Sequence, residues 1–91
     1  MTSQVIVNPD DLEQFARDLK KFSDELKQSS ARIRGQFSKV GNTWRDQEHQ
    51  KFAAEFEQTM RTLNRFFQTT DQHVPFLLRK AGAARGFLQQ R

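Results

Sequence analysis

The large apolar residues Leu12, Phe15, Leu19, Phe22, Leu26, Ile33, Phe37 and Val40 recur in steps of three and four, with Ser29 between Leu26 and Ile33. At about 100° per residue they fall within an arc of roughly 100°. Arg17, Asp18, Lys20, Lys21, Asp24, Glu25, Lys27, Arg32 and Arg34 occupy the remaining surface. The pattern predicts one long amphipathic helix over about residues 9–40. Asn8 suits the N-cap, Pro9 the first helical position, and Asp10, Asp11 and Glu13 the positive end of the dipole. Val7 and Leu12 stand at the spacing of a hydrophobic staple. Lys39 followed by Gly41-Asn42 predicts the end, with Gly41 free to take a positive φ.

A second apolar set runs through Phe52, Phe56, Met60, Leu63, Phe66, Phe67, Val74, Leu77, Leu78, Ala81, Ala84 and Leu88. It spans an arc of about 120° and keeps its phase across Pro75. Asp46 is the favoured N-cap of this helix, with Thr43 the competing choice. Pro75 either ends the helix near Asp71-Gln72 and starts a new one, or kinks a continuous helix. The retained phase favours the kinked, continuous helix over about residues 47–89.

Two long helices joined by a short turn, residues 41–46, predict an all-α antiparallel hairpin in a single domain over residues 1–91. At 1.5 Å per residue the helices are about 48 and 65 Å long, so the second is expected to overhang the first by about a dozen residues, Leu77 to Arg91. A hairpin is thin, and the chain has no cysteine to staple it. The stripe Leu19, Phe22, Leu26, Phe37, Phe56, Leu63 and Phe67 is therefore expected to supply both the core and a dimer contact, giving a four-helix bundle.

Composition narrows the class. With 35% hydrophobic residues and a mean hydropathy of −0.85, no stretch approaches the roughly 18 apolar residues of a membrane span. The absence of cysteine excludes a disulfide scaffold, a thiolate nucleophile and a cysteine-ligated zinc. Nine Phe and one Trp argue against a disordered chain. His49 and His73 stand about 36 Å apart on a straight helix, so they share no metal within one chain and are read as surface residues. No phosphate loop, HExxH or nucleophile elbow is present, and none of the serines has a histidine near it in the sequence. The sequence points to a protein that is not an enzyme and needs no cofactor, metal or small-molecule substrate.

The net charge of +4 has a location. No acid follows Asp71, and Arg79, Lys80, Arg85 and Arg91 carry the whole excess. Together with Phe87 and Leu88 they form a candidate partner-docking tail, although cations near a helix C-terminus also satisfy the dipole. Nucleic acid is disfavoured as a partner, because DNA-reading helical domains use short helices and this body is charge-balanced.

The turn Gly41-Asn42-Thr43-Trp44-Arg45-Asp46, set between long Leu/Phe-striped helices in a chain of this length, resembles the WXG100 family of ESAT-6-like proteins. Asp46 stands where the family has glycine, giving W-x-D; both residue types suit an N-cap. The Tyr-x-x-x-Asp/Glu signal typical of type VII secretion substrates has no counterpart, since the chain contains no tyrosine. The resemblance implies a non-enzymatic dimer acting as substrate or adaptor of a type VII-like secretion system. Its partners would be a second copy or a paralogous chain, with a secretion ATPase or larger effector beyond. The alternative is a cytoplasmic homodimeric module docking through its basic C-terminus. MTSQVIV has no basic n-region, so the expected location is the cytoplasm, with export needing no Sec signal peptide.

Overall fold

The computed structural model describes residues 7–89. Helix α1 spans Pro9–Val40 and helix α2 spans Gln47–Gln89, with no strand among the described residues. They fold back as an antiparallel hairpin of 67 × 27 × 15 Å, one helix thick.

Local chemistry explains both helix starts. Asn8 is extended, and its side-chain oxygen accepts from the amides of Asp10 at 2.9 Å and Asp11 at 3.1 Å. Asp46 does the same for α2, its carboxylate accepting from the His49 amide at 3.0 Å. Thr43 is not the cap: its hydroxyl donates back to the Val40 carbonyl at 3.4 Å.

The end of α1 differs from the expectation. Gly41 keeps right-handed angles, φ −64° and ψ −14°, and no described residue has a positive φ. The helix instead closes by tightening, with the Asn42 amide donating to Lys39 and the Thr43 amide to Val40, each at 3.1 Å. Such i→i+3 bonds satisfy terminal carbonyls without a left-handed residue.

Helix α2 runs through Pro75 without a break. Pro75 lies exposed, on a side where water can reach the Asp71 carbonyl that loses its amide partner.

The closest line of the seam runs through small residues beside the Leu/Phe stripe. The seam's buried members are Pro9, Ala16 and Ser23 of α1 and Met60, Phe67, Thr70, Val74 and Ala81 of α2. Ala16 and Ala81, at 0% and 1% exposure, let the backbones approach closely. Of the stripe named from sequence, Phe67 is buried, Leu19, Leu26, Phe37, Phe56 and Leu63 are half-buried, and Phe22 is 54% exposed. The physical reason is thinness: one neighbouring helix covers a narrower arc than the apolar residues occupy, and small side chains claim the closest line.

Among the described residues the expected overhang is also absent. Arg85 donates to Asp10 and Glu13, both at 2.8 Å, which sets it beside the first turns of α1. Helical side chains lean toward their own N-terminus, so Arg85 reaches back along α1. Residues 41–43 continue as turns beyond α1, moving the apex toward Asp46 and the pairing of α2 with it.

Candidate functional site

The turn carries an aromatic cluster. Phe37 approaches Phe56 at 4.7 Å between ring centroids and Phe52 at 5.5 Å, and it stacks on His49 at 5.3 Å. Trp44 meets His49 edge-on at 5.0 Å and Phe52 at 6.1 Å. His49 is thus held between Phe37 and Trp44, half-buried, with its Nε2 lacking a hydrogen-bond partner. This corrects its assignment to the surface; His73 is exposed. The signal was present, since His49 precedes Phe56 and Leu63 at seven-residue spacing on the inward row of α2. Of the turn residues named from sequence, Asp46 caps α2, the Gly41 carbonyl accepts from Arg45 Nε at 3.2 Å, and Trp44 covers the hairpin end.

Along the body the hairpin has two unlike edges. On one, ions bridge the helices: Lys27 to Asp71 at 3.6 Å, Arg34 to Glu57 at 3.4 Å, and Arg85 to Asp10 and Glu13. Hydrogen bonds from Arg17 and then Arg85 hold the Glu13 carboxyl below the usual glutamate range. Asp10, then Glu13, raises the affinity of Arg85 for its proton. Open grooves on this edge are lined by such residues as Lys20, Lys27, Arg34 and Asp71. No group of three potential metal ligands converges among the described residues.

The other edge is apolar and uncovered. Phe22 and Phe66 meet across the seam there, rings 6.0 Å apart and nearly perpendicular. Phe15, Phe22, Ile33 and Val40 of α1 and Phe52, Phe76 and Phe87 of α2 are each between 45% and 56% exposed. By helical counting these seven all fall on this side of the seam, while exposed Leu78 falls on the charged one.

The C-terminal residues named from sequence differ in their surroundings. Arg79 and Lys80 are exposed, Phe87 is exposed, Leu88 is half-buried, and Arg85 is paired into the body. Arg91 lies outside the described residues.

The described residues thus form a long antiparallel hairpin with tryptophan at its turn and one uncovered apolar edge. The chain belongs to the WXG100 family: the family model described as proteins of 100 residues with WXG matches residues 4–83. That membership places it among small helical proteins of type VII systems. No curated protein and no solved structure matches the chain. No helix among the described residues is long and apolar enough to cross a membrane.

Proposed function

We propose that this protein is a non-enzymatic substrate or adaptor of a type VII-like secretion system, working as a dimer in a four-helix bundle. The observation that carries the reading is the uncovered face of Phe15, Phe22, Ile33, Val40, Phe52 and Phe76 on a hairpin of this family. Monomeric proteins rarely leave a contiguous apolar face of this kind in water, and its covering removes the largest unfavourable solvation on the molecule. Trp44 and its neighbours then form the exposed end of the bundle, a surface for a secretion ATPase or larger effector.

The test is export. Tagged protein should reach the medium in cells with an intact type VII system and stay inside cells lacking its ATPase. Retention in both strains counts against the reading.

A second reading, a cytoplasmic module docking through its C-terminal end, draws support from exposed Arg79, Lys80 and Phe87. Under it, Arg79→Gln with Lys80→Gln abolishes capture of an acidic partner and leaves the dimer intact. Unchanged capture removes it.

A further inference from the structure

Pro75 breaks a local rule. Proline in a helix interior removes one amide and is strongly disfavoured there, yet α2 runs on through it to Gln89. The Asp71 carbonyl, four residues back, is left without its helical donor. That carbonyl lies between Asp71 and Pro75, which both line a cavity of about 280 Å³ on the charged edge. Val74, Pro75 and Leu78 form its apolar wall on α2, and Lys20, Ser23 and Asp24 close it from α1. Leu78 is 39% exposed, an apolar side chain on the edge that carries the bridging ion pairs. A surplus acceptor and an uncovered leucine thus meet at one cavity, and departures from local rules of this kind mark functional positions.

We infer that this cavity is a docking socket for a tryptophan side chain of a partner protein. Size sets the first limit. Pockets that enclose whole small-molecule ligands start at about 300 Å³, so this one suits a single large side chain. Chemistry sets the second. The wall asks for an apolar body, and the free carbonyl asks for one donor. An indole meets both, because its ring is apolar and its N–H donates only. A phenol brings acceptor lone pairs as well, and a leucine or phenylalanine side chain supplies no donor. Charge sets the third. Lys20 is paired with Asp24 at 3.2 Å and Asp71 with Lys27 at 3.6 Å, so the occupant is neutral. Free tryptophan would carry an ammonium and a carboxylate; a tryptophan within a chain carries neither. Trp44 of this chain is held against His49 and Phe52 at the turn, so the indole comes from a different protein. The socket lies across the seam from the uncovered apolar edge, and it is independent of the association proposed above.

The probe is N-acetyltryptophanamide, titrated into the full chain and followed through backbone amide shifts by NMR. Saturable shifts are expected at Ser23, Val74 and Leu78. The analogue methylated at the indole nitrogen should bind about fivefold more weakly, the worth of one hydrogen bond. Pro75→Ala gives the Asp71 carbonyl its helical donor and strengthens the helix, so this variant folds. On it the two probes should bind alike. Leu78→Ala thins the wall and leaves the carbonyl free, so it should weaken both probes and keep the difference between them. Absence of a saturable shift at these residues overturns the socket. So does equal binding of the two probes to the unaltered chain, or a fivefold difference that persists in Pro75→Ala. Free tryptophan binding more tightly than its capped amide overturns a partner protein as the source. A chain that proves monomeric changes none of these readouts.

Discussion

The two long edges of the hairpin are built from the same two helices yet solve opposite problems. On one edge, Lys27, Arg34 and Arg85 reach carboxylates across the seam, so its charges are satisfied inside the chain. On the other, Phe15, Phe22, Ile33 and Val40 stand in water beside a row of charges that meets no opposite charge within the described chain. The difference shows which part of the molecule is complete. A single layer of helices can close its charged edge by itself, because long side chains span the seam. It cannot bury a wide apolar arc, because each helix has only one neighbour.

The largest effect should come from the seam that both edges share. Phe67→Ala removes a buried ring and should cost about 3–5 kcal/mol, read as a drop in the urea midpoint. A cost no larger than that of an exposed phenylalanine would mean the seam is misplaced.

Next comes the apolar edge. Phe15→Ser with Phe22→Ser should dissociate the proposed dimer in sedimentation while the first turns of α2 keep their protection in hydrogen exchange. Loss of helicity throughout, with no monomeric hairpin stage, would show that the hairpin and the bundle are one cooperative unit.

Ser23 sharpens the comparison from within. Its hydroxyl is buried in the seam at 2% exposure with no partner. Ser23→Ala should therefore stabilise the protein by about 1 kcal/mol, since an unpaired buried polar group is removed without a change of shape. A loss of stability would reveal a hydrogen bond to water at that position.

The charged edge should respond least. Arg34→Gln breaks a pair whose side chains are 43% and 46% exposed, and should cost less than about 1 kcal/mol, shrinking further in salt. At the open end, Arg85→Gln should raise exchange in the first turn of α1 and the last turns of α2 with little change in the midpoint. The pH dependence has a definite sign. Glu13 titrates below its ordinary 4.5 in the folded chain, so its contribution is present above that value. It is lost as the pH falls through the lowered value, and this acid sensitivity should vanish in Glu13→Gln.

Much of this molecule follows from local rules. The caps at Asn8 and Asp46, the long uninterrupted apolar periodicity and the tryptophan turn are properties of neighbouring residues, and they are readable wherever those residues occur. The phase kept across Pro75 is of the same kind: an amphipathic pattern already says which way the next turn faces. Where local rules offered two solutions, as at Gly41, the chain took the tighter one, because successive i→i+3 bonds at Asn42 and Thr43 served the carbonyls that a left-handed glycine would have served.

What local pattern could not decide was how one helix is rotated and shifted against the other. An apolar stripe shows that a face is buried, and says nothing about which line of it comes closest. That choice fell to Ala16, Ser23, Thr70 and Ala81, whose small side chains permit close approach, and it turned Phe22 and its neighbours outward. The shift between the helices likewise depended on how residues 41–46 carry the chain across the apex. It placed Arg85 beside Asp10 and Glu13, far away in sequence, and so converted an expected free tail into a closed end. Periodicity is set by each helix alone; rotation and register belong to the pair.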